Sequence, residues 1–600
     1  MTSIIRKSLY LVGGWRSWRT WVRWLVLALL AVVVSVLEAT GAVMVLLLMG
    51  LITGTDQLDL PLVGDLDEIL PGADRQEQLL MAAAIIAAFF LIRASVKIAE
   101  AYWQGRVVHT AGARLSSRLL DGYLSMPYGF HLRRNSSELI RNSHDSVQVF
   151  VREVLGTFAM MVSSILIVIG ILTVLLATAP LAAILALAFL GPMTYAVLWV
   201  LHPRVKRMGA RSQHLSKASL KTLQQSLGGV RDIKVLGRER LFSEEYRRQR
   251  QSFARAQYLR QAAKQAPREV IETSLMLFIV AFFALTILRG GSATDTLSVL
   301  ALFGYSALRL KPPLTDILSG LNALKFAAPA VDDLYADVVL IEREASRQPL
   351  APSSHLMPFE RDIRIEDVRY RYEGTETDVL HGIDLTIRVG ESVGIVGPTG
   401  GGKSTLVDVL MGLIPPTAGR VLVDGVDIRT SPSAWQANLG VVSQMVFLVD
   451  DTLRRNICLG LRDDEVDDAR LQAAISMSQL REFVDRLPDG LETLVGERGV
   501  RVSGGQRQRI AIARALYHQP RVLVFDEGTS ALDTVTENEI VSALEALRGE
   551  RTIITIAHRL TTIRGCDRIV ILQHGRVTDC GSYDELLDRN RDFRTMAAAS

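Results

Sequence analysis

The sequence predicts an α-helical membrane domain with six spans and long cytoplasmic helix extensions, followed by an α/β domain built around a phosphate-binding loop. Three observations support this prediction. Apolar runs long enough to cross a bilayer occur almost wholly before residue 325. From Ile363 onward the pattern changes to short strands and turns. The stretch SVGIVGPTGGGKST at 392–405 places a glycine-rich loop between a buried strand and a helix.

Length and composition limit the possible functions. The 600 residues exceed what one hydrophobic core usually serves, so at least two domains are expected. The net charge of +4 is small for this length and predicts no nucleic-acid partner. Cys458, Cys566 and Cys580 lie at spacings that match neither a zinc site nor a disulfide framework. We interpret them as reduced cytosolic thiols.

The membrane half begins with an interfacial segment at 1–23, in which Arg and Lys alternate with Trp. A signal peptide is the alternative, but the apolar run that follows is too long for its hydrophobic region. A transmembrane domain is predicted at 24–325 and a linker at 326–361. The six predicted spans lie at roughly 24–50, 79–103, 151–177, 180–202, 270–289 and 295–321.

The connections between the spans differ in charge. Residues 53–78 carry seven acidic residues and one arginine, whereas 104–150 and 203–269 are long and rich in Arg and Lys. The positive-inside rule places both termini and both long loops in the cytoplasm. Each long loop is helical in pattern with one break, at 126–130 and at 227–237. The spanning helices are therefore expected to extend into the cytoplasm and turn there.

The glycine-rich loop is predicted to bind the phosphates of ATP. Glycines let main-chain N–H groups converge on phosphate oxygens, and the helix N-terminus adds partial positive charge. Lys403 is expected to reach the β- and γ-phosphates, and the Ser404 hydroxyl to ligate Mg²⁺. An ordinary glycine-rich turn is the alternative, which the flanking strand and helix disfavour. The predicted ATP-binding residues of the loop are Gly397, Pro398, Thr399, Gly400, Gly401, Gly402, Lys403, Ser404 and Thr405.

Three later strands end in polar residues suited to the same chemistry. Gln444 ends an apolar strand and is a candidate to bridge Mg²⁺ or water. The buried strand at 522–527 ends in two carboxylates, of which Asp526 is expected to hold Mg²⁺ and Glu527 to polarise the attacking water. His558 ends another strand, where it is expected to touch the γ-phosphate. A structural histidine is the alternative for this residue.

A second anion site is predicted where VSGGQRQRIAIARAL at 502–516 opens an amphipathic, arginine-rich helix. Since the chain already has one phosphate-binding loop, this second site suggests that two chains share each nucleotide. Tyr370 and Tyr372 lie about 25 residues before the loop, a place from which a ring can stack on adenine. A strand-face aromatic is the alternative, and we accept it for Tyr370.

Taken together, GPTGGGKST, VSGGQ, VLVFDE, SALD and AHRL resemble, in order and spacing, the motifs of ABC transporters of the exporter type. The resemblance covers essentially the whole chain and implies an ABC ATP-binding domain at 362–598. It implies that Tyr372 is the adenine-stacking aromatic, Gln444 the Q-loop glutamine and Asp526 the magnesium aspartate. It further implies that Glu527 is the catalytic base and His558 the switch histidine.

The same resemblance implies a homodimer with composite ATP sites. The signature residues Ser503, Gly504, Gly505 and Gln506 would contact the ATP held by the other subunit. Segment 496–499 (GERG) resembles the exporter segment that meets the cytoplasmic loops. Three departures are visible, and none of them removes a catalytic group: Val502 for Leu, Gly401 for Ser or Ala, and Gly528 for Ala.

The membrane segments resemble bacterial lipid-linked oligosaccharide flippases, through VLEATGAVMVLLLMGLITG, FLIRA, NSSELIRNSHD, PREVIET and LRLKPP. This resemblance implies that Arg93, Arg268 and Arg309 are candidates for a diphosphate headgroup, because guanidinium groups match phosphate oxygens. We therefore expect ATP-driven flipping of a lipid-linked or other amphipathic substrate across a bacterial cytoplasmic membrane. A drug, toxin or peptide exporter is one alternative. A regulatory ABC protein that gates a partner without moving cargo is another.

Overall fold

In a computed structural model the chain divides into two compact units, one of residues 1–126 and 130–349 and the other of residues 127–129 and 350–600. The structure describes residues 2–13, 18–53, 75–178, 180–288, 293–345, 356–496, 502–526, 547–557 and 560–599.

The part of the chain before residue 346 folds into helices and contains no strand among the residues described. The helices are α1 (Thr2–Val12), α2 (Trp18–Thr53), α3 (Arg75–Ser125), α4 (Tyr128–Arg133), α5 (Ser136–Arg141), α6 (Val147–Phe150), α7 (Thr157–Thr178), α8 (Pro180–Gly228), α9 (Val230–Val235), α10 (Glu239–Leu288) and α11 (Ala293–Ala345). Two π-helical turns, Asn142–Ser146 and Val151–Gly156, flank α6.

Four of these helices are more than twice as long as the hydrocarbon core of a bilayer is thick. Helices α3, α8, α10 and α11 contain 51, 49, 50 and 53 residues. A helix of this length spans about 75 Å, whereas the hydrocarbon core is about 30 Å thick. The helices therefore extend well beyond the membrane, and the short helices α4 and α9 lie at the two predicted breaks. Among the described residues, three segments are long and apolar enough to cross a membrane: Trp18–Gly41, Leu80–Ser125 and Ser136–Ala177.

A buried carboxylate joins the first of these breaks to α11. Asp337 is 2% exposed and accepts hydrogen bonds from Tyr123 Oη at 2.6 Å and Asn142 Nδ2 at 2.7 Å. Arg134 Nη1 donates a third hydrogen bond at 3.0 Å. A buried carboxylate is tolerated only when it is well paired. The three bonds therefore hold the end of α3, the turn after α4 and α11 in one arrangement.

The second unit is an α/β domain, as the sequence predicts, and its described residues form two sheets. Its strands are β1 (Asp362–Tyr370), β2 (Leu380–Arg388), β3 (Ser392–Val396), β4 (Ala418–Val423), β5 (Val426–Asp427), β6 (Leu439–Val442), β7 (Val522–Asp526), β8 (Thr552–Ile556), β9 (Arg568–Gln573) and β10 (Arg576–Gly581). Its helices are α12 (Lys403–Leu410), α13 (Pro432–Gln436), α14 (Leu453–Ile457), α15 (Asp468–Met477), α16 (Arg481–Asp485), α17 (Gly504–Tyr517), α18 (Tyr583–Arg589) and α19 (Arg591–Ala599).

The two sheets differ in direction. The smaller sheet is antiparallel, in the order β2-β1-β4-β5. The larger sheet has the order β10-β9-β3-β8-β7-β6, and all its strands are parallel except β10. Strand β3 is buried at all five positions, as expected for a parallel strand covered on both faces. Trp435 is completely buried, and its Nε1 donates to the Leu410 carbonyl at 2.8 Å, which fixes the end of α12.

Candidate functional site

The glycine-rich loop connects β3 to α12 and packs closely against β9. A Cβ atom on Gly397 would lie 1.9 Å from the Leu572 carbonyl oxygen, and one on Gly401 would lie 2.9 Å from the same atom. Gly402 has a φ of +95°, in the left-handed region that side chains disfavour. Glycine is therefore required for this path of the chain. The packing also explains why Gly401 carries no side chain.

Lys403 lies inside the curve of the loop. It is 6% exposed, and its Nζ donates to the carbonyl oxygens of Gly397 at 2.8 Å and Pro398 at 3.1 Å. Ser404 is exposed on the first turn of α12. The glycine-rich loop thus curves around the Lys403 ammonium group at the N-terminus of α12. This arrangement fits phosphate groups.

Tyr372 lies against the same end of α12. Its hydroxyl is 3.1 Å from Thr405 Oγ1, and its ring packs edge-on against Tyr370 with 5.0 Å between centroids. The sequence places both tyrosines before the loop but does not reveal the contact with Thr405. The contact positions Tyr372 next to the phosphate-binding loop.

Parallel strand pairing brings three predicted site segments to one edge of the larger sheet. Asp526 at the end of β7 pairs in register with Ile556 at the end of β8, and Val442 at the end of β6 pairs with Phe525. The carboxyl ends of β3, β8, β7 and β6 therefore adjoin. The glycine-rich loop, Asp526 and the exposed Gln444, two residues beyond β6, all lie at this edge.

Some predicted site residues lie outside the described residues. They are Glu527, His558, residues 497–499 of the GERG segment, and the side chain of Arg268.

Asp408 is a site residue that the sequence analysis missed. Burial of its carboxyl, together with the negative charge of Asp526, raises the pKa of Asp408 to about 6. The available signal was its position four residues after Ser404, because residues at this spacing share one face of a helix. Asp408 therefore adds a second carboxyl beside the predicted magnesium aspartate.

The signature segment forms the N-terminus of α17. Ser503 Oγ accepts a hydrogen bond from the Gln506 main-chain N–H at 3.3 Å, and Gln506 Oε1 accepts one from the Ser503 N–H at 2.8 Å. This capping box defines the first turn of the helix. Gly504 and Gly505 are its first two residues, so their N–H groups are at the positive end of the helix dipole.

A cluster of charged residues lies in the membrane unit around Glu38, which we call the Glu38 cluster. Glu38 of α2 is 3% exposed and forms an ion pair with Arg93 of α3. Lys97 Nζ lies 3.4 Å from Glu38 Oε1, and Arg309 Nη1 of α11 lies 3.8 Å from Glu38 Oε2. Three cations thus surround one carboxylate.

Two arginines of the Glu38 cluster lie near the same aromatic ring. The guanidinium carbons of Arg93 and Arg309 lie 5.7 and 5.9 Å from the centroid of Phe90. Arg93 Nε is buried and has no hydrogen-bond partner among the described residues. The structure thus brings together two of the three predicted headgroup arginines. Lys97 and Glu38 were missed as site residues, although Arg93 and Lys97 are one helical turn apart.

Comparison with known proteins gives two family matches. Residues 380–530 match the family described as ABC transporter, and residues 24–306 match the ABC transporter transmembrane region. The ATP-dependent lipid A-core flippase of Cupriavidus metallidurans is 30% identical over 561 residues, covering 92% of each chain. The protein of the same name from Ralstonia nicotianae is 29% identical over 556 residues, covering 92% of this chain and 93% of the relative.

A solved structure has the same fold. It is that of a bacterial Atm1-family ABC exporter with ATP bound, with a TM-score of 0.75 and 24% identity. The match covers 95% of this chain and 98% of that chain. The likeness therefore extends through both the membrane domain and the ATPase domain.

Proposed function

The chain belongs to the ABC transporter family, as an exporter with fused membrane and ATPase domains, and from this premise we propose that it flips an anionic lipid across a bacterial cytoplasmic membrane. The proposed substrate is a polyprenyl-diphosphate-linked oligosaccharide or a related lipid with a phosphorylated headgroup. The names of the bacterial relatives, lipid A-core flippases, support a lipid substrate. The observation that carries the proposal is that Arg93, which pairs with Glu38 in the Glu38 cluster, has a buried Nε without a hydrogen-bond partner among the described residues.

Charged side chains inside a membrane domain are costly, so three cations gathered around one carboxylate need a reason. An anionic headgroup would provide one, because the buried Nε of Arg93 can donate a hydrogen bond to a phosphate oxygen. Arg309, which also lies near the ring of Phe90, would hold the same headgroup from α11. Arg268 on α10 remains a candidate for the same role.

The ATP site would use residues at the edge of the larger sheet. Lys403 would turn from the loop carbonyls to the β- and γ-phosphates, because a phosphate is a stronger partner for a cation than a neutral carbonyl. Ser404, Gln444 and Asp526 would hold Mg²⁺, which when bound neutralises phosphate charge. Glu527 would act as the general base for water and His558 would contact the γ-phosphate.

We further propose a homodimer of six-span chains with both termini in the cytoplasm. The basic N-terminal segment and the two basic loops at 104–150 and 203–269 support this orientation. The capped N-terminus of α17 would complete the ATP site of the partner subunit. ATP binding would then favour the closed pair of ATPase domains, and the turns near 126–134 and 227–240 would pass that closure to the membrane helices.

The test is reconstitution of the full-length protein in nanodiscs and liposomes, with ATPase activity and lipid translocation as readouts. Diphosphate-linked lipids should stimulate ATP hydrolysis, whereas unrelated drugs should not. Arg93→Ala should lose both the stimulation and the translocation. The matched control is Lys311→Ala, since Lys311 is a membrane-unit cation paired with Glu272 outside the Glu38 cluster.

Four results would contradict the proposal. Stimulation by drugs alone would favour a drug exporter. Unchanged lipid translocation by Arg93→Ala would show that the Glu38 cluster does not bind the headgroup. Undiminished ATP hydrolysis by Glu527→Gln would overturn the assignment of the catalytic base, and a wild-type protein that binds ATP without appreciable hydrolysis would favour a regulatory role.

A further inference from the structure

An apolar cavity of about 240 Å³ lies between α1 and the helices beside it. Ten of its twelve lining residues are apolar, and they come from α1, the start of α2, the π-helical turn before α7, α7 itself and α11. Engineered apolar cavities of about 150 Å³ stay dry and bind benzene. A cavity of this size and lining therefore favours an apolar ligand.

The cavity is open on one side. Leu9, Trp21 and Phe158 line it, and each keeps 45% of its surface exposed. The start of α2 carries exposed tryptophans, since Trp18 is 79% and Trp21 45% exposed, and this residue type concentrates at membrane interfaces. A ligand can therefore enter from the bilayer rather than through the protein.

Ser8 gives the cavity a polar contact that nothing in the described structure satisfies. It lines the cavity, is 8% exposed, and its Oγ is buried without a hydrogen-bond partner among the described residues. A buried hydroxyl without a partner is costly. The occupant should therefore combine an apolar chain with a group that hydrogen-bonds to a hydroxyl, as the ester of a glycerolipid does.

The charge around the cavity selects among lipids. The first 37 residues contain five basic residues and no acidic one. Arg6 and Arg19 are exposed on α1 and on the first turn of α2, next to the segments that line the cavity. Basic residues at a membrane surface attract anionic headgroups.

We propose that this cavity binds one acyl chain of an anionic glycerophospholipid of the surrounding bilayer, with its ester group at Ser8 and its headgroup near the arginines. The lipid would hold α1 against the membrane unit. This site is distinct from the Glu38 cluster and does not depend on which substrate is transported.

The test is photolabelling of the full-length protein in nanodiscs. The probe is phosphatidylglycerol with a diazirine in one acyl chain, and the labelled peptides are identified by mass spectrometry. Label should concentrate on the peptides of α1 and of residues 154–158. Phosphatidylcholine with the same photoreactive chain should label these peptides several-fold less.

Two variants and a control define the site. Ile5→Trp fills the cavity and should reduce labelling at least fivefold, while Leu25→Trp, which adds the same bulk at a residue that is 63% exposed on α2, should not. Ser8→Ala, which changes the volume little, should reduce labelling about fivefold through the loss of one hydrogen bond. Thermal unfolding of each variant shows whether it is folded.

Several outcomes would overturn the inference. One is labelling of folded Ile5→Trp and Ser8→Ala at the wild-type level. Equal labelling by the two phospholipids would show that the site does not select an anionic headgroup. Displacement of the label by a diphosphate-linked lipid would show that the cavity belongs to the substrate path.

Discussion

Arg514 donates a hydrogen bond from Nε to the main-chain carbonyl of Asn456 over 2.8 Å. The same guanidinium donates from Nη1 to the Phe447 carbonyl at 2.9 Å. Arg514 belongs to α17, which begins at the signature residues, whereas Phe447 and Asn456 follow Gln444 in the chain. The helix that begins at the signature residues is thus bonded directly to the segment that follows Gln444.

The first prediction concerns the stability that this link provides. Arg514→Ala would leave the carbonyl of the fully buried Asn456 without its charged donor and would also remove the bond to the exposed Phe447, at a cost of about 3 kcal/mol. For a domain of this size we expect the unfolding temperature to fall by about 6–12 °C. Differential scanning fluorimetry of the purified protein measures this shift.

Arg486→Ala is the matched control, because Arg486 and its partner Glu482 keep 71% and 85% of their side chains exposed. A surface ion pair of this kind contributes little to stability, so we expect the unfolding temperature to fall by at most about 1 °C. A shift for Arg514→Ala as small as that of the control would show that the link does not stabilise the domain.

The second prediction compares two glycines of the phosphate-binding loop. Gly397→Ala would place a Cβ 1.9 Å from the Leu572 carbonyl oxygen, so the loop must move away from β9. A Cβ added by Gly400→Ala would meet no atom within 4 Å, so only the φ of +80° at this position opposes the substitution. We expect ATP affinity to fall at least about 100-fold for Gly397→Ala and about fivefold for Gly400→Ala, the latter from roughly 1 kcal/mol of strain. Titration with a fluorescent ATP analogue measures both, and equal losses would contradict the packing argument.

The third prediction concerns the pH dependence of stability through Asp408. The pKa of Asp408 in the folded protein is about 6, above its ordinary value of 3.8. Its contribution to stability is therefore fully present below pH 3.8 and is lost as the pH rises through 6. Asp408→Asn should be more stable than the wild type at pH 7, by about 1–2 kcal/mol after allowance for partial solvent screening. Thermal unfolding without nucleotide and with EDTA should show the two proteins converging near pH 4.

Asp424→Asn provides a control of opposite sign. Although partial burial alone would raise the pKa of Asp424, main-chain hydrogen bonds from Glu360, Asp362 and Arg361 hold it below its ordinary value. The stability from Asp424 is thus present at pH 7 and is lost as the pH falls below its ordinary range. The same substitution should therefore destabilise the protein at pH 7. Identical effects at positions 408 and 424 would contradict both assignments.

The sequence predicts local features of this protein better than long-range ones. The loop between β3 and α12 is predictable because its glycines, lysine and flanking strand are contiguous, and the breaks at α4 and α9 are visible as interruptions of a helical pattern. The Glu38 cluster is different. Glu38, Arg93 and Arg309 lie on three helices far apart in the chain, and only helix packing brings them to one carboxylate. The same limit applies to Asp408. Its raised pKa comes from burial of its carboxyl and from the charge of Asp526, which lies far away in the chain.

The fourth prediction tests whether each ATP site is shared between two chains. Lys403→Ala removes the cation of the phosphate-binding loop. Ser503→Asp keeps a good helix cap but places a carboxylate where the γ-phosphate of a shared nucleotide would lie. Two kinds of dimer are purified with two affinity tags. In one, each chain carries one substitution, and in the other a single chain carries both and its partner is wild type.

The two dimers contain the same substitutions and differ only in how these are distributed. If the loop of one chain works with the signature residues of the other, both substitutions fall on the same site when they are on different chains, and the second site stays intact. When one chain carries both, each site receives one substitution and ATP hydrolysis should be lost. Sites built within single chains would give the reverse, because the wild-type partner would then keep a complete site. The ATPase rate of the two dimers therefore distinguishes shared sites from separate ones.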